Sequence, residues 1–234
     1  MRKFWGFYDN GTYRVGCNGA TIYVYDQENR ELGKFRDISY AYCGAFQPGT
    51  NIFVAKSTEG ALAVYDLDSM KLLKKIRITR IEAQDEGFAF LPDGSYFYNI
   101  EKPDQSTDTQ LTIYRTTDYE VERVLFREDN KMVLDELEFD EHTGDCYVLG
   151  FMRGADWVMA YGFIGRFIGD TISDIKKMTY EAYHYVSEYK DWERSGFTSR
   201  NLEWSGLRDY SEHPSISLKQ AYERMKDKKE ENTR

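Results

Sequence analysis

Two pairs of adjacent carboxylates are the first candidates for a functional site, Asp85 with Glu86 and Asp135 with Glu136. Such a group can coordinate a cation through oxygen, or raise one pKa by mutual repulsion until that carboxyl serves in acid/base catalysis. The alternative is a solvated charged rim in which Arg2 and Lys3 neutralise the acids, as charged runs usually do. Both interpretations stay open at this point.

Aromatic side chains in a polar segment form the second group of candidates. The segment 193–214 is rich in Ser, Gly and charged residues, and the aromatics in or beside it are Trp192, Phe197 and Trp204. Large rigid rings anchor protein partners and also stack on sugars. The alternative is that these rings fasten the C-terminal segment to the rest of the protein.

Other signatures of catalysis or metal binding are missing from the sequence. No Ser stands in a nucleophile elbow, and no glycine-rich stretch follows a phosphate-binding fingerprint. The acidic run 135–145 lacks the EF-hand spacing and predicts a turn at Gly144. The three histidines fall in a turn, a predicted helix and a loop: His142, His184 and His213. We therefore predict no metal, no cofactor and no catalytic residue.

Charge and cysteine content restrict the partners. The formal net charge is −9 and the pI is about 5.0, which argues against nucleic acid and favours a protein with a basic patch. Three cysteines without close spacing, Cys17, Cys43 and Cys146, predict neither a disulfide framework nor a zinc site. No apolar run has the length of a signal peptide or membrane span. We expect a cytoplasmic protein that does not bind membranes.

A repeated phrase sets the predicted architecture. Phe7, Phe46, Phe90 and Phe139 are separated by 39, 44 and 49 residues, and each is followed by a tight turn and alternating strand-like segments. Four strands per unit at this period are typical of β-propeller blades, whereas helical solenoids would show a 3.6-residue periodicity.

The pattern resembles the degenerate repeats of WD40-like and YVTN-like propellers over about residues 2–165. The Val-Tyr-Asp endings at Asp26 and Asp66 stand where the WD40 family has Trp-Asp, although Arg115 and Gly162 replace the aspartate in the later copies and the Gly-His element is missing. The resemblance implies a propeller that presents its loops to protein partners. Because propellers place the first strand of each blade innermost, it also predicts that the paired carboxylates lie at one mouth of a central channel.

The C-terminal region breaks the pattern. We predict a four-repeat propeller over residues 1–168 and a helical extension over 169–234 that packs on it. Residues from Asp170 onward show helical spacing, with Thr171 and Asp174 as a capping box, and a second helix is predicted to begin at Ser217 with Gln220 three residues on. The tail 226–234 has no apolar positions and is predicted to be disordered.

The predicted protein is therefore an all-β, small β-propeller of four four-stranded repeats with a two-helix extension. We predict a non-catalytic protein-binding scaffold or adaptor. One alternative is a binder of a small ligand, sugar or cation, or a hydrolase, that uses the acidic mouth of the channel. Another is a structural half-ring that completes a larger propeller by homo-oligomerisation, since four units are few for closure.

Overall fold

The computed structural model describes residues 4–79, 84, 86–103, 108–195, 210 and 212–231, with only the backbone for 226–231. These residues form four four-stranded antiparallel sheets, in each of which the strands lie in chain order, and two helices. The predicted fold class is confirmed: the fold is all-β, built of four propeller-type units, with two helices after them.

Each sheet corresponds to one repeat. Sheet 1 contains strands β1 to β4, Gly6–Asp9, Arg14–Cys17, Ile22–Tyr25 and Glu31–Phe35. Sheet 2 contains β5 to β8, Ala41–Phe46, Ile52–Ser57, Ala61–Asp66 and Lys71–Arg77. Sheet 3 contains β9 to β12, Phe88–Phe90, Tyr96–Glu101, Gln110–Arg115 and Val121–Leu125. Sheet 4 contains β13 to β16, Met132–Phe139, Cys146–Arg153, Met159–Ile168 and Thr171–Met178. The helices are α1, Tyr180–Arg194, and α2, Leu218–Glu231.

The chain divides into two compact units. The first comprises Met1–Asp85, Lys102–Ser106 and Asp191–Glu212, and so holds sheets 1 and 2 with the end of α1. The second holds sheets 3 and 4, α2 and α1 as far as Lys190.

Hydrogen bonds within the turns explain why the repeats could be recognised in the sequence. Asp26 and Asp66 each accept hydrogen bonds from two backbone N–H groups of the turn that follows, and so close the turn between the third and fourth strands. Arg115 occupies this place in the third repeat and pairs instead with Asp118 and Glu122, at 2.9 Å each. Asp26 and Asp66 therefore bond to the backbone of the turn, whereas Arg115 bonds to side chains of the turn and the following strand.

The fourth sheet corrects the predicted start of the helical region. Residues 171–178 form β16, which pairs with β15 through a tight turn at Gly169, whose φ is +63°. The helical spacing of Ile172 and Ile175 misled the prediction because register shifts in this hairpin interrupt the simple alternation of a strand. The predicted capping box at Thr171 and Asp174 is therefore wrong.

Helix α1 begins after Thr179, whose hydroxyl accepts a hydrogen bond from the N–H of Ala182. In the second unit, Tyr183 packs on Gly162, where an added Cβ would lie 2.5 Å from the Tyr183 Cβ. In the first unit, the carbonyl of Ser195 accepts a hydrogen bond of 3.1 Å from the N–H of Phe7 in β1. The chain leaving α1 thus pairs with the first strand of sheet 1, which otherwise presents an open edge.

The second helix begins as predicted. Ser217 Oγ accepts a hydrogen bond from the N–H of Gln220 at 3.0 Å, and Gln220 Oε1 accepts one from the N–H of Ser217 at 3.3 Å, which confirms the capping box. Lys219 pairs with Asp140 at 3.1 Å and ties α2 to sheet 4. The predicted disordered tail overlaps α2, whose backbone is helical to Glu231, while 232–234 lie outside the described residues.

We expect Gly162→Ala to lower the free energy of unfolding by about 1–3 kcal/mol, because the new methyl group collides with the Tyr183 Cβ, which cannot move without α1. Urea denaturation measures the loss. Gly33→Ala is the matched control, since its methyl group meets only the flexible end of Met70. Equal losses in both variants would show that α1 does not pack as described.

The pKa of Asp140 is lowered from 3.8 to about 2. The largest cause is the hydrogen bond from Lys219, and the next is the hydrogen bond from the Thr143 N–H. A carboxyl whose pKa is lowered by folding adds stability above its unfolded pKa and loses it as the pH falls to the folded one. Asp140→Asn should therefore be less stable than the parent above pH 3.8, with the difference vanishing toward pH 2. Denaturation across this range measures it, with Glu141→Gln as control; a constant difference would contradict the pairing.

Candidate functional site

Of the six residues predicted at a channel mouth, three lie outside the described residues: Arg2, Lys3 and Asp85. The other three, Glu86, Asp135 and Glu136, belong to the second unit.

The structure brings the start of β9 and the middle of β13 together. The N–H of Gly87 donates a 2.8 Å hydrogen bond to the carbonyl of Asp135. The Glu136 carboxylate lies against Gly87, where an added Cβ would be 1.7 Å from its Oε1. The pairing of β13 with β14 shifts register between Leu134 and Glu136, which makes Asp135 the extra residue of a β-bulge. Bulges re-aim side chains and recur beside functional sites.

These carboxylates are enclosed rather than open to solvent. Glu86 is 5% exposed and Glu136 is 6% exposed. Asp135 is half-buried and accepts a 3.1 Å hydrogen bond from the hydroxyl of Tyr183 in α1. Among the described residues, no group of three or more His, Cys, Asp or Glu side chains could hold a metal ion. Ligand binding or acid/base chemistry at these acids stays a prediction.

A second bulge occupies the equivalent place in sheet 2. The pairing of β5 with β6 shifts between Ala41 and Cys43, so Tyr42 is the extra residue, and its hydroxyl donates a 2.9 Å hydrogen bond to the carbonyl of Gln84. In each sheet the bulged residue contacts a segment of its own unit, Asp135 contacting Gly87 and Tyr42 contacting Gln84. The bulge at Asp135 therefore has a structural contact at a position that the sequence singled out for chemistry.

Sequence reasoning missed a carboxylate buried in sheet 3. Glu101 is 3% exposed and accepts four hydrogen bonds from side chains of β10 and β11. Tyr114 Oη and Thr112 Oγ1 donate at 2.6 Å each, Asn99 Nδ2 donates at 2.9 Å and Gln110 Nε2 at 3.2 Å. Burial is the largest cause that raises the pKa of Tyr114, and the charge of Glu101 raises it further.

The arrangement around Glu101 is structural. A carboxylate offers about four lone-pair positions, and these four donors fill them, so no position is left for a substrate proton. The signal in the sequence was the set of polar residues at alternate positions of two strands, Asn99, Glu101, Gln110, Thr112 and Tyr114. Alternation alone could not show that this face is buried.

Burial disfavours ionisation of the cysteine thiols. All three are free and buried, and burial raises the pKa of the Cys43 thiol to about 11 and that of Cys146 to about 12. A thiol that keeps its proton at neutral pH is a poor nucleophile.

One of the three predicted partner-binding aromatics, Trp192, is placed differently from expectation. Trp192 lies within α1, not in the polar loop, and is 5% exposed. Its ring centroid is 6.1 Å from that of Tyr210 in the first unit, so this side chain packs inside the protein. Phe197 and Trp204 lie outside the described residues.

An exposed tryptophan stands instead at the tip of the hairpin between β14 and β15. Trp157 and Val158 are each 62% exposed. The turn is closed by a 2.8 Å hydrogen bond from the N–H of Gly154 to the carbonyl of Val158, and Trp157 has a φ of +65°. A positive φ is uncommon for a bulky residue and is retained only where the surroundings enforce it.

Arg153 contacts the side chain of Trp157 at this tip. Its guanidinium lies 5.7 Å from the centre of the Trp157 ring, within range of a cation–π interaction. It also pairs with the carboxylate of Asp108 and donates a 2.8 Å hydrogen bond to the carbonyl of Asn130. The indole therefore lies next to a cation that is held by Asp108 and Asn130, and most of the Trp157 side chain faces solvent.

Comparison of the sequence with protein-family models gave no match, and comparison with curated proteins gave none. Among the described residues, no helix is both long and apolar enough to cross a membrane.

Glu101→Gln should lower the free energy of unfolding by about 3 kcal/mol, because an amide N–H₂ would then face hydrogen-bond donors in a buried site. Urea denaturation measures the change. Glu122→Gln is the matched control, since Glu122 pairs with Arg115 at the surface, where such a pair is worth at most about 1 kcal/mol. Similar losses in the two variants would contradict the structural role of Glu101.

Proposed function

We propose that this protein is a non-catalytic scaffold that binds a protein partner through the hairpin tip formed by Trp157 and Val158. The observation that carries the proposal is an exposed tryptophan at a hairpin tip in contact with the guanidinium of Arg153. Tryptophan and arginine are enriched among the residues that dominate binding energy, and an anchor that is already ordered loses less entropy when it binds.

The chemistry of the buried polar groups supports a binding role over a catalytic one. The Glu101 carboxylate is saturated by its four donors, and the cysteine thiols stay protonated. Glu86 and Glu136 are buried.

The partner is a protein with an apolar pocket bordered by basic residues. A net charge of −9 attracts such a surface over a distance and disfavours acidic ones. At the tip, Asp156 is exposed beside Trp157, and the neighbouring loop carries Glu128 and Asp129 together with Lys131. The free cysteines are compatible with the reducing cytoplasm as the place of action.

Trp157→Ala should weaken the complex with the partner by about 2 kcal/mol or more, which is about thirtyfold in Kd. The partner is first captured from source cells and identified by native mass spectrometry, and its Kd is then measured with purified components. Tyr40→Ala is the matched control, because Tyr40 is also an exposed aromatic residue, at 60%, with a positive φ of +52°.

Two outcomes would refute the proposal. One is a complex whose affinity is unchanged by Trp157→Ala. The other is a native spectrum that shows a retained small molecule or metal ion and no protein partner, which would direct attention to the carboxylates of β9 and β13. A self-assembled oligomer that Trp157→Ala leaves intact would favour the half-ring alternative.

A further inference from the structure

The first unit contains a surface cavity of about 280 Å³ at one end of sheets 1 and 2. The connection between β4 and β5, the turn between β6 and β7 and the last strand of sheet 2 line it. Three of its lining side chains are cationic, Arg36, Lys75 and Arg77, and two are acidic, Asp37 and Glu59. The lining thus has an excess of positive charge in a protein whose net charge is −9.

Backbone carbonyls, not carboxylates, hold two of the cations in place. Lys75 Nζ donates to the backbone carbonyl of Asp37. Arg77 Nη1 donates to the carbonyl of Glu59 at 2.8 Å and to that of Thr79 at 3.3 Å. Each side chain is positioned by one nitrogen, while Arg77 keeps its Nε and Nη2 hydrogens and Lys75 keeps two of its ammonium hydrogens for another acceptor.

Arg36 is held in the same manner, because its Nε donates a 3.3 Å hydrogen bond to Thr21 Oγ1. Both terminal nitrogens of its guanidinium remain as donors. In the part of the chain that the structure describes, none of the three cations lies within ion-pair distance of a carboxylate. Three cations and two carboxylates in one cavity leave an excess of positive charge, and an anion bound among the cations would relieve their mutual repulsion.

The two carboxylates of the lining interact with neutral hydroxyl groups. Glu59 Oε2 accepts a 2.9 Å hydrogen bond from Ser39 Oγ. Burial is the largest cause that raises the pKa of the Tyr65 hydroxyl, and the charge of Asp37 raises it further. In the part of the chain that the structure describes, neither acid forms an ion pair with the three cations.

We propose that this cavity binds the phosphate group of a small phosphomonoester. Two guanidinium groups and an ammonium supply the charge-assisted donors that phosphate oxygens accept, and Arg presents them in a planar fork that suits a bidentate contact. The volume is near the lower end of the range for ligand sites, which fits a phosphorylated metabolite of a few carbon atoms and not a nucleotide with its base. The site is separate from the Trp157 tip and belongs to the other unit.

Isothermal titration calorimetry at constant ionic strength tests the site, with inorganic phosphate and glycerol 3-phosphate as probes. We expect both probes to bind, and Lys75→Gln and Arg77→Gln each to weaken binding by about tenfold or more, the effect of losing a charge-assisted hydrogen bond. Lys71→Gln is the matched control, because Lys71 is an exposed cation of the same strand that does not line the cavity. It should leave the affinity within about twofold.

Thermal denaturation without ligand establishes that each variant folds, and Arg36→Gln provides a second route if either β8 variant does not. The proposal is overturned if the folded parent protein shows no heat with either probe at millimolar concentration. It is also overturned if Lys71→Gln weakens binding as much as Lys75→Gln, or if only heparin binds, since either result would mean a diffuse response to charge. Binding of a phosphopeptide but of neither small probe would likewise refute it.

Discussion

The packing of apolar side chains between consecutive sheets is the interaction on which the structure depends. In the first unit, Val15 and Val24 of sheet 1 and Phe53 and Tyr65 of sheet 2 belong to one buried cluster. In the second unit, residues of sheets 3 and 4 form another, which includes Phe163. A four-stranded sheet cannot shield its own faces, so each needs a neighbouring sheet, and its faces are unavailable for function. Turns and strand ends are the parts left for binding.

The buried polar groups follow from the same constraint. Glu101 lies on a sheet face from which water is excluded, and an ionised carboxylate is tolerated there only because four donors surround it. Asp135 and Tyr42 occupy bulges whose backbone or side chain bonds to neighbouring chain within the same unit. These buried polar groups thus form hydrogen bonds within the fold. For this reason the acidic pairs are weak evidence for a catalytic function.

The surface shows the opposite arrangement. Trp157 is apolar and exposed, and Arg36, Lys75 and Arg77 are cations without carboxylate partners among the described residues. Trp157 lies in a turn and Arg36 in the connection after β4, while Lys75 and Arg77 lie on the edge strand β8, so these side chains reach the surface without loss of core packing. The proposed protein anchor and the proposed anion site belong to different units, so the proposals together describe one protein with two kinds of ligand.

Much of this molecule was determined by local sequence. The repeats around Phe7, Phe46, Phe90 and Phe139, their turns and the capping box of α2 were predicted, because turn residues, alternation and helix caps act over a few residues. Tertiary structure decided the rest. Residues 171–178 became β16 because β15 offers an unpaired edge, and Trp192 became buried because the end of α1 packs within the first unit. The enclosure of Glu136 and the gathering of Arg36 and Arg77 at one cavity join residues far apart in the chain, and no local pattern encodes those distances.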